Sequence, residues 1–164
     1  GEVANHKDWE NHLSTLFPQV RLKNFLELRS MDACGWNEVC SQPALWAGII
    51  YDQESLDQTW EICKKWSSED RYYLYKNVPK YGLETPFKNS TVLDLAKKII
   101  KISIRGLKKR NRMSSFGYDE THYLKTIDEN LNNNLSPADH LIKQYYKNKK
   151  NFYESIYTNK DYVF

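Results

Sequence analysis

The tripeptide Glu27-Leu28-Arg29 sets an acid and a cation two residues apart. In an extended segment that period puts both side chains on one face, roughly 7 Å apart along the backbone. Lys23 joins the same face four residues earlier. A carboxylate between cations on a cleft-lining strand suits a nucleotide or acyl-phosphate site. The carboxylate can take Mg²⁺, and the guanidinium can hold a carboxylate or a phosphate through two hydrogen bonds. The same pattern also describes an ordinary ion pair on a solvated strand, the commoner outcome for such neighbours.

A second constellation is basic. From Lys97 to Arg112 the chain carries Lys97, Lys98, Lys101, Arg105, Lys108 and Lys109 and no acid. Such a face can contact nucleic acid or an anionic membrane. It equally describes the solvated side of a core helix, and the broad apolar arc opposite favours that description. His6, His12, His122 and His140 are scattered, with no pair at metal-ligand spacing. No Walker loop, no G-x-G-x-x-G and no G-x-S-x-G occurs, which removes the best support for P-loop, dinucleotide-binding and serine-hydrolase chemistry.

The elements that must position these groups follow from periodicity. Asp8 reads as an N-cap for a short helix carrying Trp9, Leu13 and Leu16, and Phe17-Pro18 ends it. Leu22 to Ser30 reads as one strand. Leu22, Asn24, Leu26 and Leu28 lie on one face, and Lys23, Phe25, Glu27 and Arg29 on the other. It is the only convincing strand, and a lone strand cannot satisfy its own edges. The chain also starts with Gly rather than Met. The strand must pair with a segment absent here or with another copy, and a start at Gly fits a cut piece or an added residue before an internal start.

The rest reads as helix. Ser41 and Pro43 open an apolar helix over 44–51, Asp52 caps the next, and Ser67 with Asp70 opens a third that Pro79 and Gly82 close. Residues 83–89 read as loop. Thr91 and Asp94 start the longest helix, running to about Lys109, with Arg110 landing in the apolar arc. A helix over 119–130, a capping box at Ser136-Pro137-Ala138-Asp139 and a polar tail follow, the tail adding at most one short helix.

At 164 residues the chain is one domain by length. Lys plus Arg is 24 and Asp plus Glu is 21, a net charge of +3 that does not demand a polyanion partner. An apolar fraction of 40% with 14% aromatic residues can support a core. No apolar run has membrane length, and the first residues hold no apolar signal-peptide core. Cys34, Cys40 and Cys63 form no Cys-x-x-Cys pair and no even framework, and they read as reduced cytoplasmic thiols.

The run DWENHLSTLFPQVRLKNFLELRS, Asp8 to Ser30, resembles the plant and proteobacterial type of glutamate–cysteine ligase. The likeness continues in order through Gly35-Trp36, Leu45-Trp46-Ala47-Gly48, Tyr51-Asp52, Val78-Pro79, Gly82-Leu83, Thr85-Pro86-Phe87, Asp119-Glu120-Thr121, Tyr123-Leu124 and Ser136-Pro137-Ala138-Asp139. The family's chains are much longer, and the segment before Asp8, with most of the sheet, is not here.

That resemblance implies a mainly α (α+β) chain. It would be the helical C-terminal part of a glutamine-synthetase-like carboxylate–amine ligase fold, giving one strand to an antiparallel sheet. Residues 8–35 would be helix and active-site strand, 36–157 helical, and 158–164 tail. It implies ATP and Mg²⁺ as cofactors, glutamate and cysteine as substrates, the missing N-terminal part of the enzyme as partner, and a cytoplasmic location. ATP would phosphorylate the γ-carboxylate of glutamate, and the cysteine amine would attack the acyl phosphate, the first step of glutathione synthesis.

By the same resemblance, Arg29 would grip substrate glutamate and Trp36 would line its pocket. Glu27, matched only to the wider class, would bind metal. Lys23 would stand as a catalytic cation and Arg21 as a nucleotide-side cation. The chain departs from the family at Ser30-Met31-Asp32, where Gly-Ala-Asp is common, and at Cys34, where Gly is frequent. The resemblance gives Cys34, Cys40 and Cys63 no assigned part in the redox disulfides of plant members. The rival expectations are a basic module for RNA or acidic lipid, and a helical domain without chemistry.

Overall fold

In a computed structural model of the chain, residues 3–31 and 35–154 are described, apart from the side chains of Trp36 and Asn37. The chain divides into two compact units, 1–33 and 34–164.

The first unit is a helix and a hairpin. Helix α1, His6–Ser14, starts three residues before the position expected from Asp8. Asn5 is its N-cap, and Asp8 closes the capping box from inside, accepting from the Asn5 N–H at 2.8 Å. The expected single strand over 22–30 is instead two short strands, β1 Val20–Leu22 and β2 Leu26–Leu28, paired antiparallel with Arg21 opposite Glu27. The Lys23 N–H donates to the Phe25 carbonyl at 2.9 Å across the turn, and the Arg29 N–H donates to Gln19 at 2.9 Å. The segment therefore pairs with itself, and the outer edges of its two strands stay open. The face assignment survives, because partners whose numbers sum to 48 share parity, so Arg21, Glu27 and Arg29 lie on one side. Among the described residues of this unit, only Arg21, Glu27 and Leu28 are half-buried, and the others are exposed.

The second unit is helical. Helix α2, Trp36–Ile50, begins a turn and a half before Ser41 and carries Pro43 inside it. Pro43 lacks the N–H that would reach back one turn, a loss tolerated here because the helix packs well. Ser41, freed from any capping role, is buried and donates to the Tyr123 carbonyl at 2.6 Å. Helices α3, Gln53–Cys63, and α4, Ser68–Tyr81, start at the expected caps Asp52 and Ser67. Helix α4 runs through Pro79 and stops at Gly82, whose φ of +53° favours glycine. The expected loop at 83–89 contains a one-turn 3₁₀ helix, Gly82–Glu84, and half of a second small hairpin, β3 Pro86–Phe87 with β4 Ser90–Thr91.

Helix α5, Val92–Arg110, is the longest described, capped by Thr91 and Asp94 as expected and ended by Asn111 in the left-handed conformation. The expected helix over 119–130 divides into a 3₁₀ segment, Glu120–Leu124, and α6, Lys125–Asn132. Helix α7, Pro137–Lys147, follows its Ser136 cap. Residues 152–154 are helical, and the remainder of the expected tail, 155–164, lies outside the described residues.

The core gathers Ala44, Ile100, Leu107, Leu124 and Leu131. Helices α2 and α5 meet at two glycines. A Cβ on Gly106 would lie 1.8 Å from the Gly48 carbonyl oxygen, and one on Gly48 would lie 2.3 Å from that of Ser103. The close approach lets Ser103 Oγ donate to Leu45 at 2.9 Å and Ser55 Oγ donate to Ile102 at 3.2 Å. Among the described residues no helix is long and apolar enough to cross a membrane.

Candidate functional site

Pairing of β1 with β2 builds a triad of charges. Arg21 Nε donates to Glu27 Oε2 at 2.6 Å, and Arg29 Nη1 donates to Glu27 Oε1 at 2.9 Å. One carboxylate thus bridges two guanidinium groups. Arg21 Nη1 also points to the carbonyls of Ser14 and Leu16, at 3.3 and 3.4 Å, where α1 ends with unpaired acceptors. The Phe17 ring lies beneath both cations, 4.6 Å from the Arg29 guanidinium carbon and 5.4 Å from that of Arg21. Side-chain exposure rises along the triad, from 15% at Arg21 through 27% at Glu27 to 34% at Arg29. The outermost group is the cation best placed to meet a ligand.

The two guanidinium groups hold the Glu27 carboxyl below the usual carboxylate range. The hydrogen bond from Arg21 is the largest cause, and partial burial opposes it. Glu27 is therefore an anion at neutral pH with both oxygens already accepting. As a metal ligand it would use a lone pair that neither guanidinium occupies. Among the described residues no group of three His, Cys, Asp or Glu side chains converges on a point. The residues present do not form a Mg²⁺ site by themselves, since Glu27 would supply one ligand at most.

The structure therefore brings together Arg21, Glu27 and Arg29 of the expected set. Lys23 stands exposed at the start of the hairpin turn. Trp36 opens α2 in the second unit, and its side chain lies outside the described residues. Sequence reasoning missed Phe17, read only as a helix ender. The available signal was an aromatic residue just ahead of an alternating Arg-x-x-x-x-x-Glu-x-Arg pattern.

Away from this unit, the basic face of α5 meets acids that its own sequence lacks. Lys109 pairs with Glu54 and lies 3.4 Å from Asp52, and Arg110 donates to Glu120 at 2.9 and 3.2 Å while lying 4.7 Å over the Tyr51 ring. Arg105 donates to Gln58, and Lys97 to Asn134 at 3.2 Å. Lys98, Lys101 and Arg105 edge an open groove of about 660 Å³ between α3 and α5, floored by Ile62, Ile102 and Ile104. Cys40 and Cys63 are free thiols, and Cys34 lies outside the described residues.

A mainly helical chain carrying a hairpin with an arginine–carboxylate–arginine triad has the equipment of an anion-binding protein. The family model described as Glutamate-cysteine ligase family 2 matches residues 1–158, and the chain belongs to that family. It is 41% identical over 145 residues to "Glutamate--cysteine ligase A, chloroplastic" of Oryza sativa subsp. indica, covering 88% of this chain and 28% of that protein. It is 38% identical over 146 residues to "Glutamate--cysteine ligase, chloroplastic" of Solanum lycopersicum, covering 89% and 27%. It is 37% identical over 145 residues to the protein of the same name from Arabidopsis thaliana, covering 88% and 27%. The chain thus spans little more than a quarter of the length of these relatives.

Proposed function

We propose that the chain is part of an ATP-dependent ligase that joins the γ-carboxyl of L-glutamate to the amine of L-cysteine through a γ-glutamyl phosphate. The observation that carries this reading is the family match over residues 1–158, which includes the hairpin with its charge triad. In this reading the chain is the C-terminal part of a glutamine-synthetase-like fold, and Gly1–Phe164 acts with the rest of the enzyme. Substrates are glutamate and cysteine, and the cofactors are ATP and Mg²⁺. The proposed compartment is the cytoplasm, which accords with free thiols at Cys40 and Cys63; the relatives are named chloroplastic.

Arg29 is the proposed glutamate grip. Among the described residues one of its N–H groups is engaged, by Glu27, and a guanidinium has five. Trp36 is proposed as a substrate-binding residue on the family resemblance alone. Lys23, exposed at the turn, is the proposed cation that offsets charge on the transferred phosphoryl group. Bound ATP and Mg²⁺ would supply the phosphoryl group and its charge neutralisation, the metal drawing at most one ligand, Glu27, from this chain. Arg21, proposed as a nucleotide-side cation, is held on the Ser14, Leu16 and Glu27 acceptors and would act from there by its charge alone.

The test is cysteine-dependent ADP release from ATP with glutamate and Mg²⁺, using the complete protein. Release that needs both amino acids, with γ-glutamylcysteine as product, is the expected result. Release without cysteine, or with no peptide product, overturns the assignment.

A further inference from the structure

The two arginines of the hairpin are not equivalent. Arg21 spends its donors inside the unit, on Glu27 and on the carbonyls of Ser14 and Leu16. Arg29 donates once, to Glu27, and is the more exposed of the two. Yet both stack on one ring, and that ring is itself well exposed, Phe17 at 65%. Its face carries the negative end of the ring quadrupole, which attracts a guanidinium lying over it.

The chain fixes Phe17 from both sides. Pro18 disfavours helical backbone at Phe17, three residues past the end of α1. Arg21 bonds to the carbonyls of residues 14 and 16, just ahead of the ring, and to Glu27 across the sheet. Through these bonds ring, carboxylate and Arg29 are set in one frame. A guanidinium held on its face by a ring and at one edge by a carboxylate loses most of its rotational freedom before any ligand arrives.

We propose that Phe17 is a positioning residue that holds the Arg29 guanidinium ready for a substrate carboxylate, with Arg21 as the latch that keeps Phe17 and Glu27 in place rather than a ligand contact. The proposal rests on the reading of Arg29 given above and adds to it. Neither Phe17 nor Arg21 touches substrate in this arrangement. Phe17 acts by lowering the entropy that Arg29 loses on binding.

The experiment uses the complete enzyme with three variants. Phe17→Leu keeps apolar bulk and removes the ring face. Phe17→Tyr keeps the face and serves as the conservative rescue. Arg29→Ala removes the grip. The KM for glutamate should rise roughly 2- to 30-fold in Phe17→Leu, the span of a cation–π contact from exposed to desolvated surroundings. The KM values for ATP and cysteine should hold, and Phe17→Tyr should restore the KM for glutamate. Combining Phe17→Leu with Arg29→Ala should add nothing to Arg29→Ala alone.

If Arg29→Ala raises the KM for glutamate and Phe17→Leu leaves it at the wild-type value, the positioning proposal fails while the site reading stands. If Phe17→Leu worsens all three KM values alike, its role is structural and the proposal also fails. If Arg29→Ala itself leaves glutamate binding intact, the site reading fails and takes this proposal with it.

Discussion

Arg21 and Glu27 face each other across the hairpin as Cα partners, and their side chains meet at 2.6 Å. Opposite charges directly across an antiparallel pair support the pairing that brings them together. The ion pair and the strand register are thus one feature, and the register also decides where Arg29 stands. A single-residue slip would send Glu27 to the opposite face and break the triad.

The first prediction concerns Arg29. In the complete enzyme, Arg29→Lys keeps the charge and loses the planar fork that matches a carboxylate. A charge-assisted hydrogen bond is worth about 1.5–3 kcal/mol. The kcat/KM for glutamate should therefore fall roughly 10- to 150-fold, with affinity and turnover both affected. Steady-state kinetics with glutamate varied at saturating ATP and cysteine measure it. Wild-type values from Arg29→Lys would remove the bidentate grip from the account.

The second prediction is the pH response of the hairpin. The Glu27 carboxyl is held below its ordinary value, chiefly by the hydrogen bond from Arg21. A group whose folded value is depressed contributes stability above its unfolded value, and that contribution is lost as pH falls through the folded value. The hairpin should be intact at neutral pH and loosen only in acid, below the usual glutamate range. Carboxyl-carbon NMR of Glu27 should show a low midpoint that returns toward the ordinary value in Arg21→Ala. An unshifted midpoint in the wild-type chain would mean that the bridge is absent in solution.

The parts legible in the sequence were those decided within a few residues. The capping boxes at Ser67 and Asp70, Thr91 and Asp94, and Ser136 and Asp139 close between a side chain and a backbone N–H three positions away, so composition suffices to find them. The hairpin was not legible as such. The run Leu22 to Ser30 holds no glycine or proline and reads as one strand although Asn24 and Phe25 interrupt its alternation, and the fold back is decided by pairing between residues that local patterning cannot see. Pro43 misled for a related reason. It is a fair first-turn signal, but the contacts of Ser41 and Ala44 with distant elements carry the helix back to Trp36. Of the candidate site, the shared face of Glu27 and Arg29 was readable from a period of two. The parts of Phe17 and Arg21 needed the turn to be known.

The third prediction tests the helix crossing. Gly106→Ala places a methyl where the Gly48 carbonyl oxygen already sits, 1.8 Å away. The obstacle is backbone, so no rotamer relieves it, and α2 and α5 must separate. Separation would also lengthen the Ser103 to Leu45 hydrogen bond between α5 and α2. Overpacking of this kind costs about 3 kcal/mol at the upper end of its usual range. Urea unfolding should show a lower midpoint with an unchanged slope. A midpoint equal to the wild type would place the helices farther apart than described here.

The last prediction concerns acid unfolding of the helical unit. Four helix starts rest on aspartates whose carboxyls are held low. At Asp52, Asp94 and Asp139 a side-chain hydrogen bond from Ser55, Thr91 and Ser136 respectively is the largest cause, and at Asp70 it is the one from Lys88. Each depressed carboxyl adds stability above its unfolded value and withdraws it as pH falls through the folded one. Their withdrawal is additive where the sites share no partners. Stability should therefore stay level from neutral pH to the ordinary aspartate range and then drop steeply. The Asp52 site should also be sensitive to salt, since Lys109 lies 3.4 Å from it at the surface. Asp139→Asn keeps an amide oxygen that can accept from Ser136 but cannot be protonated in this range, so it should flatten part of the acid slope without changing helix content at neutral pH. Circular dichroism against pH, with and without the substitution, reads both. An unchanged slope in Asp139→Asn would show that α7 does not draw its acid sensitivity from its cap.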